Sequence, residues 1–360
     1  MEVRCPMDET FRPHEYLPQS FTPDRLLLEQ FLARHGLRYE EDIEYACGMT
    51  DDSGTLFACG CCAGSILKCF AVDPSIRGQN LTGQIISQLS RNRFAKGYSR
   101  LFLFTRPGNA AMFMPSGFFP IASTDKVLLM GNSPSGVARY LRSLKTGPVP
   151  DSGAVVMNCN PLTRGHLALI EYAAQRCRLL RLFLVEEDRS VFPFADRLML
   201  VQQGVAHLPN VRVHPSGPYM ISQLTFPSYF LKEGDDAARI QAELDATVFA
   251  EKIALPLQIT IRFVGEEPSC PTTRQYNLAL RAILPDHGVA LEEIPRRCAD
   301  NGEIISASRV RELLCRRDPD RSLLRYVPQA TLDYLCSARA RPVLESLRRA
   351  CGANKGEAML

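Results

Sequence analysis

The stretch Ala154-Val155-Val156-Met157-Asn158-Cys159-Asn160-Pro161-Leu162-Thr163-Arg164-Gly165-His166-Leu167 constrains this chain's fold more than any other. Its apolar opening reads as a buried strand. The Asn-Cys-Asn-Pro that follows turns the chain. Thr163 then caps a helix that opens on Gly165 and His166. The second half keeps that rhythm. Helix patterns cover 167–176 and 196–207, and strand patterns cover 180–185, 211–214 and 259–264. The alternation predicts an α/β domain, a Rossmann-like parallel sheet with helices on both faces.

The first half has a different texture. Short apolar runs at 56–62 and 65–72, broken by Gly60 and Gly64, predict a strand pair. Helix patterns at 24–34 and around Ile85, Ile86, Leu89 and Phe94, with strands at 101–105 and 127–130, complete an α+β reading. Residues 1–23 are proline-studded and read as an irregular lead-in. The breakers Gly147, Pro148, Pro150, Ser152 and Gly153 mark a joint. Domains are expected at 1–148 and 149–336, with a tail at 337–360.

Lysine plus arginine is 42 against 39 acidic residues, a net charge of +3. So balanced a chain has no general pull toward nucleic acid or anionic lipid. No apolar run approaches the ~18 residues of a membrane span, and the N-terminus lacks a secretory core. Thirteen scattered cysteines read as reduced thiols in a cytoplasm rather than a disulfide frame. Cys59, Cys61 and Cys62 cluster without the second ligand pair of a metal site.

Chemistry concentrates at two helix starts. Amide N–H groups there are unpaired and carry positive dipole character, which suits an anion. Gly165 lets a phosphate approach the backbone, Thr163 can cap the helix and donate, and His166 can offer an imidazole N–H to charge growing in a transition state. The second start is Ile305-Ser306-Ala307-Ser308-Arg309-Val310-Arg311. Ser308 and Arg311 share a face, and the guanidinium fork of Arg311 suits β- and γ-phosphates. Asn160 reads equally as a pocket or plain turn residue. Arg197 reads as a surface ion pair, and Glu186, Glu187 and Asp188 as a solvated acidic loop.

Thr163-x-Gly165-His166 and Ile305-Ser306-x-Ser308-x-x-Arg311 resemble the T/HxGH and ISSTxxR motifs of the nucleotidylyltransferase superfamily. Asn158-Cys159-Asn160-Pro161, Phe192-Pro193-Phe194 with Arg197, Phe226-Pro227-Ser228-Tyr229-Phe230-Leu231-Lys232, and Gly265-Glu266-Glu267-Pro268 with Tyr276-Asn277 narrow the resemblance to citrate lyase ligases, over nearly the whole chain. That resemblance implies an AMP- and pyrophosphate-forming acid–thiol ligase using ATP and Mg²⁺. It implies acetate as the acid and, as acceptor, the citrate lyase acyl-carrier subunit with its phosphoribosyl-dephospho-CoA group. His166, Thr163 and Arg311 would be catalytic. Asn160, Gly165, Glu266, Ser306, Ser308 and Lys232 would hold the nucleotide. Two other readings share parts of the pattern: an adenylyltransferase of the pantetheine-phosphate or nicotinamide-mononucleotide type, and an acyl-CoA-binding or acyltransferase protein.

In the first half, Val72-Asp73-Pro74-x-x-Arg77-Gly78-Gln79-Asn80-Leu81-Thr82-Gly83 and Asn109-Ala110-Ala111-Met112-Phe113 resemble GNAT acetyltransferases. Asn80 and Thr82 stand where that family usually has small residues, and Phe113 where many members carry a catalytic tyrosine. The resemblance therefore implies a GNAT-like fold whose transferase activity these departures speak against. Arg77, Gly78 and Asn109 would hold a CoA-like arm.

Overall fold

The computed structural model describes residues 11–76, 79–186, 190–220, 226–232, 234–267 and 271–357. It divides into two compact units. The second has the predicted parallel sheet: β8 (Ser152–Met157), β9 (Leu179–Leu184), β10 (Val211–Pro215), β11 (Ile259–Gly265) and β12 (Ala290–Ile294). Its order is β10-β9-β8-β11-β12, and every neighbouring pair is parallel. The order reverses between β8 and β11, and such a switch point is where open α/β sheets bind ligands. The pairing of β8 with β11 ends at Ala154 and Arg262. Beyond it the two strand ends are unzipped from each other, which opens a crevice. Val155, Met157, Leu182, Leu184 and Phe263 join Ile170, Leu200 and Val201 of the helices in one core.

The first unit holds β1 (Arg12–Tyr16), β2 (Tyr45–Thr50), β3 (Leu56–Ala63), β4 (Ile66–Val72), β5 (Phe102–Thr105), β6 (Phe119–Ser123) and β7 (Leu128–Gly131). The order is β1-β2-β3-β4-β5-β7-β6. All pairs are antiparallel except β4 with β5. The helix Leu81–Ala95 joins that parallel pair and buries Ile85, Ile86 and Leu89 against Leu67, Leu103 and Met130. This is a GNAT-like α+β arrangement. Cys59, Cys61 and Cys62 are buried within β3.

Four sequence expectations change. The lead-in is not wholly irregular: Arg12–Tyr16 forms an edge strand, where Pro13 costs no ladder hydrogen bond on its open side. The units are not divided at 148 alone, because Ile221–Val248 belongs to the first unit. Its aromatic run explains the return: Tyr229 Oη donates to the Phe104 carbonyl at 3.0 Å, and Arg106 Nη2 donates to that of Phe230 at 2.7 Å. The tail set apart at 337–360 belongs to the second unit: its helix Arg341–Glu357 buries Val343, Leu344 and Leu347 in the second core. Cys315 and Cys351, brought together where that helix packs on Ala307–Arg316, form a disulfide, so the thiols are not uniformly reduced. Among the described residues no helix is long and apolar enough to cross a membrane.

Candidate active site

The turn after β8 is held from beneath. Arg197, read from sequence as a surface ion pair, is fully buried. Its Nε donates to the Phe192 carbonyl at 3.0 Å, and its Nη1 reaches the carbonyls of Asn158 and Val185 at 2.9 and 2.8 Å and Asn158 Oδ1 at 2.7 Å. A guanidinium with five donors can satisfy several orphaned loop carbonyls at once, which keeps Cys159 at φ 50 in the left-handed region.

Thr163 caps the next helix with its φ at −119 and ψ at 166. Its Oγ1 accepts from the His166 amide at 3.3 Å, and His166 Nδ1 accepts from the Thr163 amide at 3.1 Å. This is a capping box with imidazole in the place of a carboxylate. The bond fixes the tautomer: Nδ1 accepts, so the ring proton sits on Nε2. Burial, helped by the charge of Arg296, lowers the His166 pKa to about 4. The ring is therefore neutral at pH 7 and still a donor. The first turn is less open than the sequence implied, because the Arg164 amide donates to the Tyr326 carbonyl at 2.8 Å. Gly165 carries the first-turn amide that has no partner among the described residues.

The second motif meets the first. A Cβ on Gly165 would stand 2.9 Å from the Ile305 carbonyl oxygen. Ser306 caps its own helix through the Arg309 amide at 3.1 Å. Arg311 Nη1 donates to the Asn160 carbonyl at 2.5 Å while Nη2 donates to Ser308 Oγ at 3.0 Å. Asn160 Oδ1 in turn accepts from the Phe192 amide at 3.0 Å. One guanidinium thus fastens the helix of the second motif to the turn of the first. Beside this junction lies a cavity of about 400 Å³, lined among others by Thr163, Gly165, His166, Gly265, Arg296 and Ile305.

A sequence profile of the citrate lyase ligase C-terminal domain matches residues 152–335. The [citrate (pro-3S)-lyase] ligase of Klebsiella pneumoniae is 42% identical over 319 residues, which cover 87% of this chain and 93% of that protein. The chain belongs to the citrate lyase ligase family. The ligase of the same name from Escherichia coli K12 is 39% identical, over 86% of this chain and 89% of that one. The Haemophilus influenzae ligase is 38% identical, over 86% and 94%.

In this citrate lyase ligase chain the remaining sequence candidates scatter. Asn160, Ser308 and Arg311 form the clasp and Ser306 caps its helix, and none of the four lines the cavity. Glu266 is exposed at the end of β11 and faces a separate shallow pocket with Arg274 and Arg281. Lys232 is exposed and belongs to the first unit. So does Asn109, whose Nδ2 donates to Thr105 Oγ1 at 3.0 Å. Glu186 accepts from the Gly217 amide at 2.8 Å. Arg77, Gly78, Glu187 and Asp188 lie outside the described residues. Sequence reasoning missed Arg296, which pairs with Glu267 and donates from Nε to the Glu266 carbonyl at 2.7 Å. It stands two residues past the end of β12, and recognising that strand was the available signal. It also missed buried Arg262, stacked 4.3 Å from the Phe249 ring centroid.

Proposed function

We propose that this ligase activates acetate with ATP as acetyl-adenylate, then acetylates the thiol of the phosphoribosyl-dephospho-CoA group on the citrate lyase acyl-carrier subunit, in the cytoplasm. The observation that carries the reading is the Arg311 clasp, which brings both motif helices beside a cavity containing a neutral, donating His166. ATP lies with its α-phosphate near the Gly165 amide and His166 Nε2. A carboxylate oxygen of acetate attacks the α-phosphorus, the bond to the β-phosphate oxygen breaks, and pyrophosphate leaves with the electron pair. Acetate is anionic at pH 7, so this step needs no general base. The residues position reactants and stabilise developing charge. Mg²⁺ brought in with ATP would neutralise part of the triphosphate's charge. In the second step thiolate attacks the acetyl carbonyl and AMP leaves.

The decisive experiment follows acetate-dependent exchange of labelled pyrophosphate into ATP, and AMP release with deacetylated citrate lyase. His166→Ala should lower both by about 10²–10³-fold, the scale for losing one transition-state donor. Near-normal turnover in a folded His166→Ala protein refutes the assignment. Exchange that needs pantetheine phosphate or nicotinamide mononucleotide instead of acetate identifies an adenylyltransferase. Acetyl-CoA turnover without AMP formation identifies an acyltransferase.

A further inference from the structure

A second concavity, of about 570 Å³, adjoins the cavity just described. Arg297 and Ile305 line both. Arg164, Arg321 and Arg325 complete its basic wall, and Asp300 is its sole carboxylate among the described lining residues. Several other arginines of this unit have carboxylate partners. Arg309 faces Glu303 and Glu312 at 3.1 and 3.0 Å, Arg316 faces Glu312 at 2.6 Å, and Arg348 faces Asp318 at 2.7 Å. Among the described residues Arg297, Arg321 and Arg325 form no ion pair. Ser322 also lines the hollow, and its amide donates to Asp320 Oδ1 at 2.7 Å.

Four guanidinium groups around one hollow repel one another, and a single carboxylate leaves most of that repulsion uncompensated. An anion with several oxygens relieves it, since each planar fork takes two oxygens. Arg164 also lies within the first motif, so an anion held here is anchored next to the reacting centre. We propose that this arginine-lined hollow binds the diphosphate of the nucleotide-type arm that carries the acceptor thiol. The assignment rests on the reading under Proposed function. Arg297 and Ile305 form the rim shared by both hollows. An arm anchored by its diphosphate in one runs across that rim and presents its thiol in the other.

The test compares dephospho-CoA, which has the diphosphate, with pantetheine, which has the thiol end alone. Binding to the full-length protein is measured by calorimetry at low and raised salt. Wild-type protein should bind dephospho-CoA at least tenfold more tightly, and salt should erode that preference. Arg321→Gln with Arg325→Gln should erase the preference and leave pantetheine binding at wild-type strength, while the paired lysine replacements should restore part of it. If the double variant does not fold, each single replacement, checked by circular dichroism, should lose part of the preference. Retention of the full preference in folded variants overturns the proposal. So does a rise in the KM for ATP, during acetate-dependent exchange, that matches the loss of dephospho-CoA binding, because the hollow would then serve ATP's own phosphates. A wild-type protein without acetate-dependent exchange defeats the ligase mechanism, whereas the hollow stands or falls on the two thiol ligands.

Discussion

Gly165→Ala isolates the contact on which the site depends. The new Cβ would sit 2.9 Å from the Ile305 carbonyl oxygen, a backbone atom that cannot rotate away. Ordinary contact begins at 3.4 Å. The two helix starts must therefore part by about half an ångström, because a close-packed interior passes such a push on rather than absorbing it. Misplacement by about 1 Å can cost on the order of 10² in rate, so about half that distance predicts a loss of roughly tenfold. Helix propensity pulls the other way, since alanine is favoured over glycine by up to about 1 kcal/mol in a helix interior. The expected result is near-wild-type stability with a tenfold or greater fall in acetate-dependent pyrophosphate exchange. Stability is read from a denaturant midpoint and activity from exchange at saturating ATP. A Gly165→Ala protein that melts normally and exchanges at the wild-type rate refutes the reasoning.

Arg311→Lys keeps the charge but lacks the fork that reaches Asn160 and Ser308 together. Exchange should fall by about one to two orders of magnitude with at most about 2 kcal/mol lost in stability, and full activity would show the clasp to be dispensable. Arg197→Met leaves buried carbonyls of Asn158, Val185 and Phe192 without their donor. Chemical denaturation should show a loss of about 3 kcal/mol or more. Burial lowers His166 and His214 to a pKa of about 4. Between that value and the ordinary 6.5 the unfolded chain binds more protons, so stability should be full above pH 6.5 and fall as pH drops toward 4. His166→Gln should flatten that slope in denaturant midpoints taken at several pH values. The first half-reaction should show no inflection from His166 between pH 6 and 8, because the ring is neutral throughout.

The motif region was legible because each part announces itself locally. A continuous apolar strand, a threonine cap and a glycine-histidine pair need no distant partner to be recognised. The same holds for the second helix start at 305–311. What escaped depends on long-range pairing. β12 carries Glu292 and Glu293 in mid-strand and shows no alternation. Those carboxylates are matched from distant helices, by Tyr172 at 2.6 Å and Arg281 at 2.9 Å. Arg181 and Arg262 stand in buried strands on either side of Ala154, a placement that hydropathy cannot suggest. The anion-binding first turn was only half foreseen. Counting donors from sequence leaves the amide of Arg164 open, and the distant Tyr326 carbonyl takes it.

The return of Ile221–Val248 to the first unit has a consequence for how the protein is made. On the ribosome the amino-terminal unit must wait, its aromatic closing piece still inside the tunnel, while much of its neighbour has already emerged. Nascent chains halted before that piece should yield an incomplete, protease-sensitive body, and expression of 1–148 alone should give the same half-finished product.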